Sequence, residues 1–291
     1  MIDRNRFGNR RIGEQSHGTE RAPIGDDVTD LTMNVPGRRR QRPQTAAAFG
    51  GGGAFGIAFN LGVAHALQDS GLPVERGPML GTSAGSWTAA ALATGLGLAD
   101  LAPTWTQPGP EGRRRVIDSS AAVWGDQHDA RVIGIALQVP LGRRRLLSGA
   151  RYRIADVVAA SSSLPGFAAA HTIEGRRYVD GGLLSHASAD RAPRANLLVA
   201  VVPMGGPVLG TVGALGDRFT RLEIARWCLR NGRRALYIRP DHRFTRYLRR
   251  LGDVMDTHRI DEIYADAYRL GTERFERFCA REHGPIAPVA A

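Results

Sequence analysis

The pentapeptide Gly81-Thr82-Ser83-Ala84-Gly85 constrains this chain more than any other stretch. It reads G-x-S-x-G and lies between an apolar run, Pro78-Met-Leu-Gly-Thr, and a small-residue stretch over residues 84–95 with the composition of a helix. A strand that turns directly into a helix at a serine holds that serine in a strained backbone conformation with its hydroxyl exposed. Side chains two residues to either side would meet neighbouring backbone, so glycine is expected at both places. Ser83 is therefore a candidate nucleophile, and the chain around it must build strands layered with helices to carry it.

A second strand, loop and helix unit precedes the first. Residues 45–50 form a short apolar strand running into Gly51-Gly52-Gly53-Ala54-Phe55-Gly56, and residues 57–70 follow with an amphipathic pattern. Glycines let bare N–H groups converge on a negative oxygen, and a helix N-terminus behind them adds a favourable dipole. That suits an oxyanion hole. Gly51, Gly53 and Gly56 equally satisfy G-x-G-x-x-G, with Asp69 or Glu75 at the spacing of a ribose contact, so a dinucleotide-binding oxidoreductase is an open alternative.

Further along, residues 131–138 alternate as a strand, Gly142 makes a turn, and a strand-like run continues to Ser148. Residues 153–161 have helical spacing ended by Pro165. Residues 168–173 and 177–179 flank Glu174-Gly175 as a hairpin. Residues 196–202 read as a buried strand, 235–239 as the last strand, and 259–278 as a long amphipathic helix. Alternating strands and helices predict an α/β layered domain. Asp180-Gly181-Gly182 closes the second hairpin strand and by itself reads as a turn.

Taken in order, the Gly-rich loop, the G-x-S-x-G and the Asp-Gly-Gly resemble the patatin-like phospholipases, from about Thr45 to at least Pro203. Residues 160–167, Ala-Ser-Ser-Ser-Leu-Pro-Gly-Phe, are similar to that family's A-S-x-x-x-P segment, and the likeness runs more loosely through Asp241 to the terminal helix. The resemblance implies a three-layer α/β fold with a central, mostly parallel sheet flanked by helices, over residues 45–291. It implies a serine-dependent acyl hydrolase, phospholipase A or esterase, acting on a lipid or ester substrate. Ser83 would be the nucleophile, Asp180 the general base, and the backbone amides of Gly51, Gly52, Gly53 and Ala54 the oxyanion hole. Gly56, Gly81, Gly85, Gly181 and Gly182 would be motif glycines. Such a dyad requires no histidine, metal or organic cofactor, and His171 and His186, both near Asp180 in sequence, read as ordinary polar residues. Phe55 departs from the Arg or Lys usual in the family's loop. Residues 57–62 are one residue longer before their glycine than in plant and animal members, as in a bacterial subgroup.

All 39 basic residues are arginine, and the formal net charge is +11. Guanidinium groups favour phosphate partners. Clusters at 38–40, 113–115, 143–145, 233–234 and 249–250 suit either a solvated surface or an anionic membrane, so a non-catalytic basic membrane adaptor is a third reading. No nucleic-acid motif is present, and no nucleic-acid partner is expected. Residues 1–44, with nine arginines against six acids and no core-forming period, are expected to be a disordered N-terminal segment. No apolar h-region follows the first arginines, and no apolar run approaches the ~20 residues of a membrane span. The expected location is cytoplasmic, peripheral on a membrane at most. Cys228 and Cys279 read as ordinary thiols.

Overall fold

In chain order the strands are β1 (Thr45–Phe49), β2 (Met79–Thr82), β3 (Val132–Val139), β4 (Arg143–Ser148), β5 (His171–Ile173), β6 (Arg176–Asp180), β7 (Leu197–Val201) and β8 (Arg234–Ile238). They form one eight-stranded sheet in the order β5-β6-β3-β2-β1-β7-β8, with β4 paired to β3. Strands β3, β2, β1, β7 and β8 are mutually parallel. Strands β4 and β6 run antiparallel to β3, and β5 runs antiparallel to β6. The helices are α1 (Gly53–Asp69), α2 (Ala84–Thr94), α3 (Leu98–Leu101), α4 (Arg115–Trp124), α5 (Ile154–Ser161), α6 (Gly210–Asn231) and α7 (Ile260–His283). This computed structural model describes residues 43–101 and 115–283. The expected disordered segment 1–44 therefore lies outside the described residues apart from Pro43 and Gln44, whose carbonyl oxygens accept hydrogen bonds from the N–H groups of Asn196 and Leu197.

Side chains two apart on a strand share a face. Ala47, Phe49, Met79, Val132, Val199, Val201 and Leu236 pack into one core with α1, α2, α5 and α7. Their neighbours Ala46, Ala48, Leu80, Ile133, Ile135 and Leu198 enter a second core with Ile224 and Trp227 of α6. Because both faces of the central strands are covered, these runs are apolar at nearly every position rather than alternating. The result is a mixed α/β fold of three layers, as anticipated.

Three helices, α3, α4 and α6, have no counterpart in the sequence reading. The cause in α6 is that apolar residues lie on both sides of the helix. Gly213, Thr220 and Trp227 are buried, whereas Val212, Leu215, Phe219, Leu222 and Leu229 are exposed. Hydrophobicity on widely separated faces cancels the helical period that would announce it. Helix α1 also starts earlier than its pattern, at Gly53, since glycine is a poor helix former and gives no periodic signal.

The sequence clusters of arginine do not gather on one surface. Arg144 is held by Asp190, at 2.7 and 3.0 Å, and by Glu223. Arg145 bonds Gln138 at 2.9 Å. Arg234 begins β8 at the opposite edge of the sheet from the β3–β4 turn. Clusters 38–40 and 113–114 lie outside the described residues. Among the described residues no helix is long and apolar enough to cross a membrane.

Candidate active site

The pairing register of β3 brings the motifs together. Residues 133–138 of β3 bond β4 along one edge. The other edge is shared end to end: β2 pairs up to Thr82 opposite Ile135, and β6 arrives from the other direction to Asp180 opposite Ala136. Two strands pointing at each other thus end on adjacent rungs of β3. Ser83 and Asp180 stand at that join, although 97 positions separate them in the chain.

Ser83 has φ 53° and ψ −119°, a conformation that costs a non-glycine residue roughly 1–3 kcal/mol. It holds the N-cap position of α2, where unpaired N–H groups favour negative charge. The flanking glycines are sterically required. A Cβ on Gly85 would lie 1.9 Å from the Phe49 carbonyl oxygen, and one on Gly81 would lie 2.4 Å from the backbone of Gly85. The Ser83 N–H donates to the Ser161 hydroxyl at 3.0 Å, which in turn donates to the Ile135 carbonyl oxygen at 2.7 Å. The Ser83 carbonyl oxygen accepts from the Ser86 hydroxyl at 2.6 Å and from its N–H at 2.8 Å. Ser83 is therefore fixed on both sides of its strained torsion.

Asp180 is 3% exposed. Burial pushes its carboxyl from the ordinary value of 3.8 up to about 6, against the side chain of Ser83 and the Gly182 N–H, which both hydrogen-bond the carboxylate and favour the charged form. The Gly182 bond to Oδ1 is 2.7 Å. The Asp180 N–H donates to the Ser163 carbonyl oxygen at 3.0 Å. After Asp180 the chain passes the middle of β3 so closely that a Cβ on Gly181 would meet Ile135 at 2.4 Å, and one on Gly182 would meet Asp180 Oδ1 at 3.0 Å.

The Gly-rich loop lies against the same elbow. A Cβ on Gly51 would be 3.3 Å from that of Ser83, and one on Gly56 would be 3.0 Å from that of Ala84. The loop turns through Gly52 and Gly53, with φ 145° and 58°. Of the four anticipated donors, Gly51 is already engaged: its N–H bonds the His186 carbonyl oxygen at 2.9 Å. The N–H groups of Gly52, Gly53 and Ala54 have no hydrogen-bond partner among the described residues, as expected of a helix start. Buried Asn60 donates to the Gly50 carbonyl oxygen at 3.0 Å and braces the loop from within α1.

Neither histidine near Asp180 bonds Ser83 or Asp180. His171 Nε2 is paired with Asp156 at 2.9 Å. Burial lowers the pKa of His186, and its Nδ1 has no partner among the described residues. The ribose-contact alternatives fare no better. Helix α1 starts at the C-terminal end of the parallel strands, where the glycines are, and runs about 25 Å back to Asp69, which bonds Tyr268, while Glu75 sits in the turn before β2 begins. Both acids are thus at the opposite end of the strands from the Gly-rich loop. The sequence reading missed Ser161, Asn60 and the His186 carbonyl. Ser161 falls in the A-S-x-x-x-P segment and was signalled without a role. No pattern marks the other two.

Residues 140–192 match the sequence family described as patatin-like phospholipase. This chain resembles the patatin-like phospholipases. The matched stretch carries the A-S-x-x-x-P segment and Asp180-Gly181-Gly182, and ends before the chain returns to β7. Among solved structures, VipD from Legionella pneumophila is similar over 81% of this chain and 67% of its own, at 12% identity and a TM-score of 0.42. No curated protein matches. At family level the patatin-like match is to lipid hydrolases. Phe55, which departs from the patatin-like pattern, is fully buried and packs against Phe59 and Phe244 at centroid distances of 6.1 and 6.4 Å. In this chain the position belongs to the core and ties the turn His242–Arg246 to α1.

Proposed function

We propose that this protein is a serine-dependent lipid acyl hydrolase, of phospholipase A or esterase type, with Ser83 as nucleophile and Asp180 as general base. The observation that carries this reading is the meeting of a strained Ser83 with a buried carboxyl at the join of β2 and β6. Asp180 takes the Ser83 proton as Oγ attacks the ester carbonyl, and the resulting oxyanion is met by the free amides of the loop. Gly52 and Gly53 take that role before Gly51, whose N–H is committed to His186. Each such donor is worth about 3–4 kcal/mol of transition-state stabilisation. Protonated Asp180 returns the proton to the leaving alcohol. It then accepts one from the water that attacks the acyl-enzyme and gives it to Ser83 Oγ as the bond to the acyl group breaks and the fatty acid departs. A carboxyl near 6 is a stronger base than one near 3.8, yet at pH 7 it is still largely ionised. The net charge of +11 favours an anionic membrane surface as the place where substrate is met.

The experiment is active-site labelling with a fluorophosphonate, followed by peptide mapping and hydrolysis assays on a short p-nitrophenyl ester. Label on Ser83, and loss of both label and turnover in Ser83→Ala, are expected. Turnover in Ser83→Ala above about a tenth of the wild-type rate removes Ser83 as nucleophile.

A further inference from the structure

The exposed apolar residues of α6 are not scattered. Val212, Leu215, Phe219 and Leu222 follow one another at intervals of three and four on a face about 120° around the helix from buried Gly213, Thr220 and Trp227, with exposures between 49% and 60%. Each turn of the first half of the helix therefore presents a large apolar side chain to solvent. Surface apolar residues are ordinary when single, whereas a continuous stripe marks a surface made to be covered.

The charges around the stripe are of one sign. Arg218, Arg221, Arg226 and Arg230 are all exposed. The helix's two acids are turned to the body of the protein. Asp217 accepts from the Tyr237 hydroxyl at 2.6 Å and pairs with Arg239 at 3.0 Å and with Arg221 at 2.8 Å, which leaves Arg218, Arg226 and Arg230 as the arginines without an acidic partner on the helix. Glu223 accepts from the Ala189 N–H at 3.2 Å and pairs with Arg144 at 3.6 Å.

The stripe also adjoins the candidate site. The segment that leaves Asp180 runs along α6: the Ser185 hydroxyl bonds Glu223, and the His186 ring lies where a Cβ on Gly216 would be 2.6 Å away. That same His186 holds the Gly51 N–H through its carbonyl oxygen. Between Asp180 and Ser185 stand Leu183 and Leu184, 51% and 63% exposed, so the apolar surface continues from the helix toward the dyad.

We infer that the outward face of α6, with Leu183 and Leu184, docks the protein on an anionic lipid surface beside the Ser83 elbow. This deepens the lipid-hydrolase reading and rests on it for the identity of the surface. Apolar side chains enter the acyl boundary while arginines meet lipid phosphates, the pattern of an interfacial helix. A second copy of the chain is disfavoured as occupant, because a self-complementary contact would oppose arginine to arginine.

The test uses Leu215→Ser/Phe219→Ser in the full chain, alone and combined with Ser83→Ala so that binding is read without turnover. Co-sedimentation with phosphatidylcholine–phosphatidylglycerol vesicles should fall by about tenfold or more. Hydrolysis of vesicle lipid should fall in step, while p-nitrophenyl ester turnover stays within about twofold, because the chemistry at Ser83 is local. Melting temperatures of the variants should match their parents, since both side chains are exposed. Unchanged sedimentation in a folded variant overturns the proposal. So does a concentration-dependent dimer of the parent that the double substitution dissolves while vesicle binding persists. If the wild type hydrolyses neither lipid nor ester but its vesicle binding depends on the stripe, the hydrolase reading falls and the docking surface stands.

Discussion

Asp180→Asn should make this protein more stable at neutral pH while abolishing hydrolysis. Asp180 is 3% exposed, and burial holds its carboxyl at about 6 against 3.8 in the unfolded chain. That difference is about 2 pKa units, and each unit corresponds to about 1.36 kcal/mol, so the ionised carboxyl costs the folded state about 3 kcal/mol at pH 7 and above. Below about pH 3.8 both states hold the proton and the cost is absent. As pH rises from there to about 6, the unfolded chain ionises first and wild-type stability falls. Asparagine never ionises and keeps an oxygen to accept the Gly182 N–H, so the variant escapes the cost. At about 2–4 °C per kcal/mol for a domain of this size, the gain at pH 7.5 is roughly 6–12 °C. Thermal and urea unfolding of both proteins at several pH values between about 3.5 and 7.5, with ester turnover in parallel, reads it directly. A variant no more stable than wild type at pH 7.5, or a gain that does not shrink toward pH 4, refutes the reasoning.

The same carboxyl sets the pH profile: kcat/KM for a soluble ester should climb through about pH 6 and level off above it, and a profile flat from 5 to 7 would remove Asp180 as the base. Ser161→Ala strips the acceptor from the Ser83 N–H and should cost about 1–3 kcal/mol in unfolding free energy, with kcat falling more than KM rises. Unaltered kcat in a destabilised Ser161→Ala would reduce Ser161 to a structural residue. Gly85→Ala drives a methyl to 1.9 Å from the Phe49 carbonyl oxygen and should cost more than about 3 kcal/mol. A normal melting temperature there would contradict the packing of α2 on β1.

Local chemistry determined much of this protein. A serine between glycines, after an apolar run and before small residues, marks a strand-to-helix elbow from its local sequence alone. Central strands buried on both faces leave apolar runs that can be read without coordinates, and the Gly-rich loop announces a helix start with unpaired amides. Helix α6 was hidden because its outward face is as apolar as its inward one, and amphipathic period is a difference between faces. Which amides stay free was equally hidden: Gly51 is taken by a carbonyl 135 residues away, a contact made only when the segment after Asp180 folds against the loop. The meeting of the two side chains is a matter of register. Ser83 and Asp180 meet because β2 and β6 share one edge of β3 and stop on neighbouring rungs, and strand pairing across that distance is fixed by the packed sheet rather than by any residue's neighbours in sequence.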